Sequence, residues 1–226
     1  MYLYVVIKEE SECKLDVVLK DKENIELATG KKVKIIPYKK FTMNVINEVS
    51  PKAIIFSGFA PDLDTFDKNE FLVIDKVLKE VNIPILCICG SHQLLTELYN
   101  KDIYEVDKLY NYLIKPKSKC DNNRYKTNGF YTINNLKNDS IFENLPNKCK
   151  MKCLHSCEVK VIPKEFILIA SSYHSKVESI RHKSKCIYST QFHPEKYDNE
   201  HLDGKIFLRN FAKIVDNYWK EKLLLT

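Results

Sequence analysis

Short apolar runs alternate with longer amphipathic stretches through the first half of the chain. Residues 2–7 (YLYVVI) form a β-rich apolar run. Residues 15–28 place apolar side chains at helical spacing and stop at Gly30, a residue suited to ending a helix. Residues 32–37 alternate as a strand, 43–49 make a short helix, and 53–56 make a buried strand that ends in Ser57-Gly58. Residues 68–81 read as an amphipathic helix with Phe71, Ile74, Val77 and Leu78 on one side. Residues 84–89 are an apolar strand followed at once by a helix over 93–99. Strand–helix alternation of this kind predicts a parallel sheet covered on both faces.

The second half has a different rhythm. Residues 129–134, 159–162, 166–171, 176–180 and 186–191 are short strand candidates, several joined by turn residues, as antiparallel additions to the sheet would be. Residues 204–219 close the chain as a helix, with Ile206, Phe207, Phe211, Ile214, Val215 and Tyr218 at helical spacing. The polar, irregular stretch 101–128 is expected to be a long loop or lid. The fold class is therefore α/β: a doubly wound, mostly parallel central sheet with helices on both faces and a smaller antiparallel addition in the C-terminal half. A length of 226 residues fits one domain, 1–226, around one core.

Composition narrows the function classes. Hydrophobic residues make up 44% and charged residues 29%, as in an ordinary globular protein. No apolar run approaches the roughly 20 residues that span a bilayer. The opening strand is too short, and too soon followed by charge, for a signal peptide. The expectation is a cytoplasmic protein with no membrane partner. The net charge of +6 is scattered among acidic residues rather than gathered on one face, so no nucleic-acid partner is expected. Eight cysteines without an export signal read as reduced thiols. Cys149, Cys153, His155 and Cys157 prompt a check for zinc, but their spacing fits no zinc pattern and no second ligand pair stands out. No metal is expected.

Three segments carry chemistry. In residues 84–95 (PILCICGSHQLL) a buried strand turns sharply into a helix through small residues. A cysteine at such a turn, Cys89, projects at the carboxyl edge of the sheet. The free N–H groups and positive dipole end of the following helix favour its thiolate and supply donors for an oxyanion. Cys87 lies inside the strand and reads as a small core hydrophobe. In residues 189–195 (STQFHPE), Pro194 holds the chain extended, so His193 and Glu195 point to the same side. The carboxylate can orient the imidazole while its other nitrogen faces a thiol, the nucleophile–base–orienter arrangement of acyl transfer. In residues 53–61 (AIIFSGFAP) a strand ends in a small-residue turn whose amides can complete an oxyanion hole with Gly90. Taken singly, each segment fits a plain structural element better than a site.

Together and in this order, they resemble the class I glutamine amidotransferase family. Residues 84–95 look like its Gly-Ile-Cys-x-Gly-His-Gln-Leu-Leu segment, and 191–195 like its Gln-Phe-His-Pro-Glu. Residues 140–146 (SIFENLP), 166–172 (FILIASS), Gly204 and Asn210-Phe211 also fit the family, so the likeness spans nearly the whole chain. It implies hydrolysis of the glutamine side-chain amide through a γ-glutamyl thioester, with Cys89 attacking, His193 shuttling the proton and Glu195 holding His193. It also implies substrate and oxyanion contacts at Gly58, Phe59, Gly90 and Gln93, with His155 a lesser candidate, and no metal or organic cofactor. Glutamine or a γ-glutamyl amide is the implied substrate, and a separate synthase the implied partner.

Cys87 and Ser91 stand where the family usually has Gly, Phe59 and Ala60 interrupt its Ser-Gly-Gly-Pro, and the usual Gly pair after the nucleophile helix is missing. A stand-alone γ-glutamyl amide or peptide hydrolase of the same fold, and a catalytically degenerate binding or regulatory subunit, are therefore alternatives.

Overall fold

The computed structural model describes residues 1–114 and 125–224. In chain order its elements are β1 (Tyr2–Val6), α1 (Asp16–Thr29), β2 (Val33–Pro37), α2 (Met43–Val49), β3 (Ala53–Phe56), α3 (Leu72–Glu80), β4 (Ile85–Ile88) and α4 (Gly90–Asn100). There follow β5 (Tyr112–Leu113), β6 (Thr127–Asn135), β7 (Lys148–His155), β8 (Cys157–Glu158), β9 (Phe166–Ser171), β10 (Ser179–His182), β11 (Ile187–Thr190) and α5 (Asp203–Leu224).

Nine strands form one sheet in the order β2-β1-β3-β4-β11-β10-β9-β6-β7, while β5 and β8 pair separately. Strands β2, β1, β3, β4 and β11 run parallel. Strands β10, β9, β6 and β7 extend the sheet antiparallel. Strands β1, β3 and β4 are apolar throughout because both faces are covered. Tyr2, Tyr4 and Val6 of β1 pack with Val18 and Ile25 of α1 and Phe207, Phe211 and Val215 of α5. The alternate residues Leu3 and Val5 pack with Ile46 of α2, Ile74 and Val77 of α3, and Leu94 and Leu98 of α4. The mixed sheet with helices on both faces agrees with the α/β expectation.

Local differences have physical reasons. The helix expected over 68–81 is split into a 3-10 turn, Lys68–Phe71, and α3. Asp67 caps the turn by accepting from the Asn69 amide. Helix α4 starts at Gly90, directly after the β4 turn, rather than at 93. Residues 159–162 are not a strand, and β7, which carries the alternation Lys-Cys-Lys-Met-Lys-Cys, was not anticipated. Of the expected loop over 101–128, residues 115–124 lie outside the described residues. The remainder is not an open loop, since Ile103 and Leu109 are buried, Tyr112–Leu113 pairs with β8, and β6 begins at Thr127.

Strands β3, β4 and β11 are neighbours and parallel. Their carboxyl ends therefore lie side by side, at the edge where open α/β sheets hold their ligands.

Candidate active site

Cys89 occupies the turn from β4 into α4 with φ 51° and ψ −105°, a backbone conformation that a side chain beyond glycine resists. The turn is held by the Cys89 amide, which donates to the Thr190 carbonyl of β11 at 2.7 Å. Two further bonds secure the neighbouring end of β3. Ser91 Oγ donates to the Ser57 carbonyl at 2.6 Å, and Ser57 Oγ accepts from the Ile7 amide at 2.9 Å. The thiol is not exposed, as a turn position leads one to expect. Cys89 is 4% exposed and faces a cavity.

His193 and Glu195 follow β11. The His193 amide donates to the Lys152 carbonyl at 2.8 Å, which ties this segment to β7. His193 Nδ1 donates to Glu195 Oε1 at 2.6 Å. Both side chains are buried, at 6% and 1% exposure. Burial alone would hold His193 down, but the Glu195 carboxylate and the Cys89 sulfur outweigh it and push the ring up to about 10. Burial likewise works against the Glu195 carboxylate, yet the facing imidazole holds it below its ordinary value. Among the described residues, Nε2 of His193 meets no partner at full hydrogen-bond geometry, and the Cys89 sulfur is near enough to act on the ring. A buried polar atom left open in this way points to a role with something not yet bound.

Gly58 lies between the two groups. A Cβ there would come within 2.8 Å of His193 Cε1 and 3.1 Å of the Cys89 Cβ, so only glycine lets the turn, the imidazole and the thiol meet. Sulfur, imidazole and carboxylate are thus arranged as cysteine-based acyl transfer requires. Cys89, His193, Gly58, Phe59, Gln93 and His155 all line one cavity of about 250 Å³. Glu195 stands behind His193, and Gly90 lies beneath the Phe59 ring. The structure therefore brings every predicted site residue to one place.

Residues 22–214 match the family model described as glutamine amidotransferase class-I. The chain belongs to the class-I glutamine amidotransferase family.

It is 34% identical to a subunit of the glutamine-hydrolysing GMP synthase of Pyrococcus furiosus, over 82% of this chain and 86% of that one. The corresponding protein of Methanococcus maripaludis (strain C5) is 32% identical over 80% and 82%. Among solved structures, a putative GMP synthase subunit from Thermoplasma acidophilum superposes with a TM-score of 0.73, covering 98% and 97% of the two chains at 23% identity. The glutaminase domain of Trypanosoma brucei CTPS, solved with bound acivicin, gives 0.69 over 96% and 94% at 15% identity. At these identities the two structures attest to the fold.

The departures from the amidotransferase pattern are accommodated locally. Ser91 fastens α4 to the end of β3 with its hydroxyl. Cys87 is a buried apolar contact, and burial pushes its thiol up. Phe59 leans over the first residue of α4. A Cβ on Gly90 would sit 2.7 Å from the Phe59 ring, so the bulk gained at 59 requires glycine at 90.

Two residues the sequence did not single out complete the site. The Leu63 amide donates to Asn111 Oδ1 at 3.3 Å, and Asn111 Nδ2 donates to Gln93 Oε1 at 3.0 Å. Gln93 Nε2 donates both to the Cys157 carbonyl at 3.0 Å and to Gln191 Oε1 at 3.1 Å. Gln191 Nε2 then donates to Cys89 Sγ at 3.6 Å. A backbone N–H only donates and a carbonyl only accepts, so Leu63 and Cys157 fix the orientation of each amide. The chain of amides thus presents an N–H to the sulfur. Gln191 lay in plain view within the Gln-Phe-His-Pro-Glu segment, whereas nothing in the irregular stretch around Asn111 marked it.

Two measurements follow from this geometry. Relief of the Cys89 backbone should make Cys89→Gly more resistant to urea than Cys89→Ala by about 1 kcal/mol; equal midpoints would show that the turn is unstrained. The folded His193 value lies above its ordinary 6.5, so the charged ring contributes stability that is complete below 6.5 and lost as pH rises through about 10. The stability gap between wild type and His193→Asn should therefore narrow between about pH 6 and about pH 10. A gap independent of pH would rule out the charged pair.

Proposed function

We propose that the chain hydrolyses the side-chain amide of glutamine through Cys89 and delivers the ammonia to a separate synthase protein. The observation that carries this is the meeting of the Cys89 thiol with the His193–Glu195 pair across Gly58. The sulfur bonds to the carboxamide carbon, and His193 gives a proton to the departing nitrogen as the C–N bond breaks. His193 then takes a proton from water, which cleaves the γ-glutamyl thioester and returns glutamate and the free thiol. The amides near Gly58, Phe59 and Gly90 are the candidates for holding the oxyanion. Gln93 contacts the substrate from the cavity wall, and Gln191 positions the sulfur. His155 contributes its ring to that wall.

Relatives named as one subunit of a glutamine-hydrolysing GMP synthase support both the substrate and the partner. Among the described residues, no helix is long and apolar enough to cross a membrane. We place the protein in the cytoplasm. The seven cysteines of the described residues are thiols rather than disulfides, which supports that location, since reducing compartments keep thiols reduced.

Ammonia release from glutamine, measured with and without the co-purified synthase, tests the proposal. Cys89→Ala should release none above background, and His193→Asn should lose about 10²–10⁴-fold. Undiminished turnover in the Cys89→Ala protein would end the assignment. Gln191→Leu removes the N–H aimed at the sulfur and should lower kcat about ten- to a hundredfold, with a parallel fall in the rate of Cys89 alkylation by iodoacetamide. An unchanged alkylation rate would show that this contact does not act on the sulfur.

A further inference from the structure

Beside the candidate active site, β7 turns Cys153 and His155 inward, and Glu178 precedes β10. One ligating atom from each residue lies within 4.8 Å of the other two. All three residues are buried, at 1%, 5% and 0% exposure. His155 Nδ1 donates to the Cys157 carbonyl at 2.9 Å, which leaves the lone pair on Nε2, and among the described residues Nε2 has no hydrogen-bond partner. Glu178 Oε1 accepts from Ser172 Oγ at 2.6 Å, while Oε2 has no hydrogen-bond partner among the described residues. The Cys153 thiol makes a long hydrogen bond, 3.8 Å, to the Met151 carbonyl. A thiol, an imidazole and a carboxylate gathered in the interior, two of them with an open polar atom, are costly unless something binds them.

We propose that Cys153, His155 and Glu178 form a binding site for a divalent transition metal, with zinc the best match. Thiolate, imidazole and carboxylate are its usual donors, whereas magnesium and calcium prefer oxygen alone. Bond lengths of about 2.0–2.3 Å set tetrahedral ligands roughly 3.3–3.8 Å apart, so side-chain rotations that close the cluster by about 1 Å complete the site. A cysteinate and a carboxylate together cancel the charge of the cation, which makes the burial tolerable.

Without a metal, burial favours the neutral form of each group. It raises the Cys153 thiol, pushes Glu178 up to about 7 and holds His155 down at about 4. Metal uptake would therefore form the sulfur–metal bond with release of the thiol proton, and of the Glu178 proton where the carboxyl holds one. His155 is already in the neutral form that ligates. The Cys-x-His pair alone gives no zinc pattern in the sequence, because the third ligand comes from a distant strand edge. The carbonyl of Leu154, between two of the ligands, accepts from Cys89 Sγ at 3.7 Å. An ion here would staple this wall of the cavity to the start of β10 without touching the reactive sulfur.

Zinc chloride titrated into metal-free protein against a chromophoric chelator tests the site. The full-length Cys89→Ala chain is used so that the reactive thiol does not contribute. Binding of about one zinc per chain is expected, with at least tenfold weaker binding in Cys153→Ser and in Glu178→Gln. Cobalt substitution should give a thiolate-to-cobalt absorption band that Cys153→Ser removes. Absence of stoichiometric zinc binding to the folded Cys89→Ala chain would overturn the proposal whether or not the Cys153 and Glu178 variants fold. So would binding that both substitutions leave unchanged. None of these readouts depends on amide hydrolysis, so they stand apart from the proposed reaction.

Discussion

Parallel pairing of β4 with β3 on one side and β11 on the other is the constraint on which the site depends. Each strand delivers one component at the same edge: the Ser57-Gly58 turn, the Cys89 turn and the His193–Glu195 segment. Parallel neighbours cannot be joined by tight turns, so the components arrive from widely separated parts of the sequence. Their close approach rests on three backbone anchors: the Cys89 amide on Thr190, the Ser91 hydroxyl on Ser57 and the His193 amide on Lys152. Strain at Cys89 persists because these contacts over-determine the turn.

Burial gives the polar groups their character. His193 and Glu195 face each other out of water, and each favours the charged form of the other against the cost of desolvation. Behind them, Lys196 pairs with Asp21 of α1 at 2.7 Å, and Asn24 donates to the Glu195 carbonyl at 2.9 Å. The run of amides from Asn111 to Gln191 is neutral, yet the Leu63 amide pins its first member, the Cys157 carbonyl its second, and its last donates to the sulfur. A charged pair and a neutral run of amides thus meet at the same thiol.

Much of this was legible in the sequence because β1, β3 and β4 are continuous apolar runs and the two motifs sit at strand ends. Residues 43–49, 53–56 and 166–171 were read to the residue. Strand β7 escaped notice although it alternates strictly; its cysteines drew attention as possible ligands and away from its period of two. The helix start at Gly90 was placed late because Gly-Ser-His is a weak helix former, and the strained Cys89 turn imposes the helix there. Asn111 and Glu178 were invisible for a different reason. Each acts through a partner far away in the chain, and no local pattern encodes such a meeting. The bulky Phe59, read as an interruption, turned out to have its counterpart in the missing side chain of Gly90.

The braces on α1 carry a consequence for how the protein comes into being. Asn24 and Asp21 are made early, whereas the backbone and side chain they hold, at Glu195 and Lys196, are separated from them by some of the longest chain spans in the molecule (171 and 175 residues). During synthesis β3 and β4 can leave the ribosome while β11, whose Thr190 carbonyl holds the Cys89 turn, is still inside it. A growing chain therefore lacks both the anchor of the Cys89 turn and the imidazole beside it until residues 190–196 arrive and settle against α1.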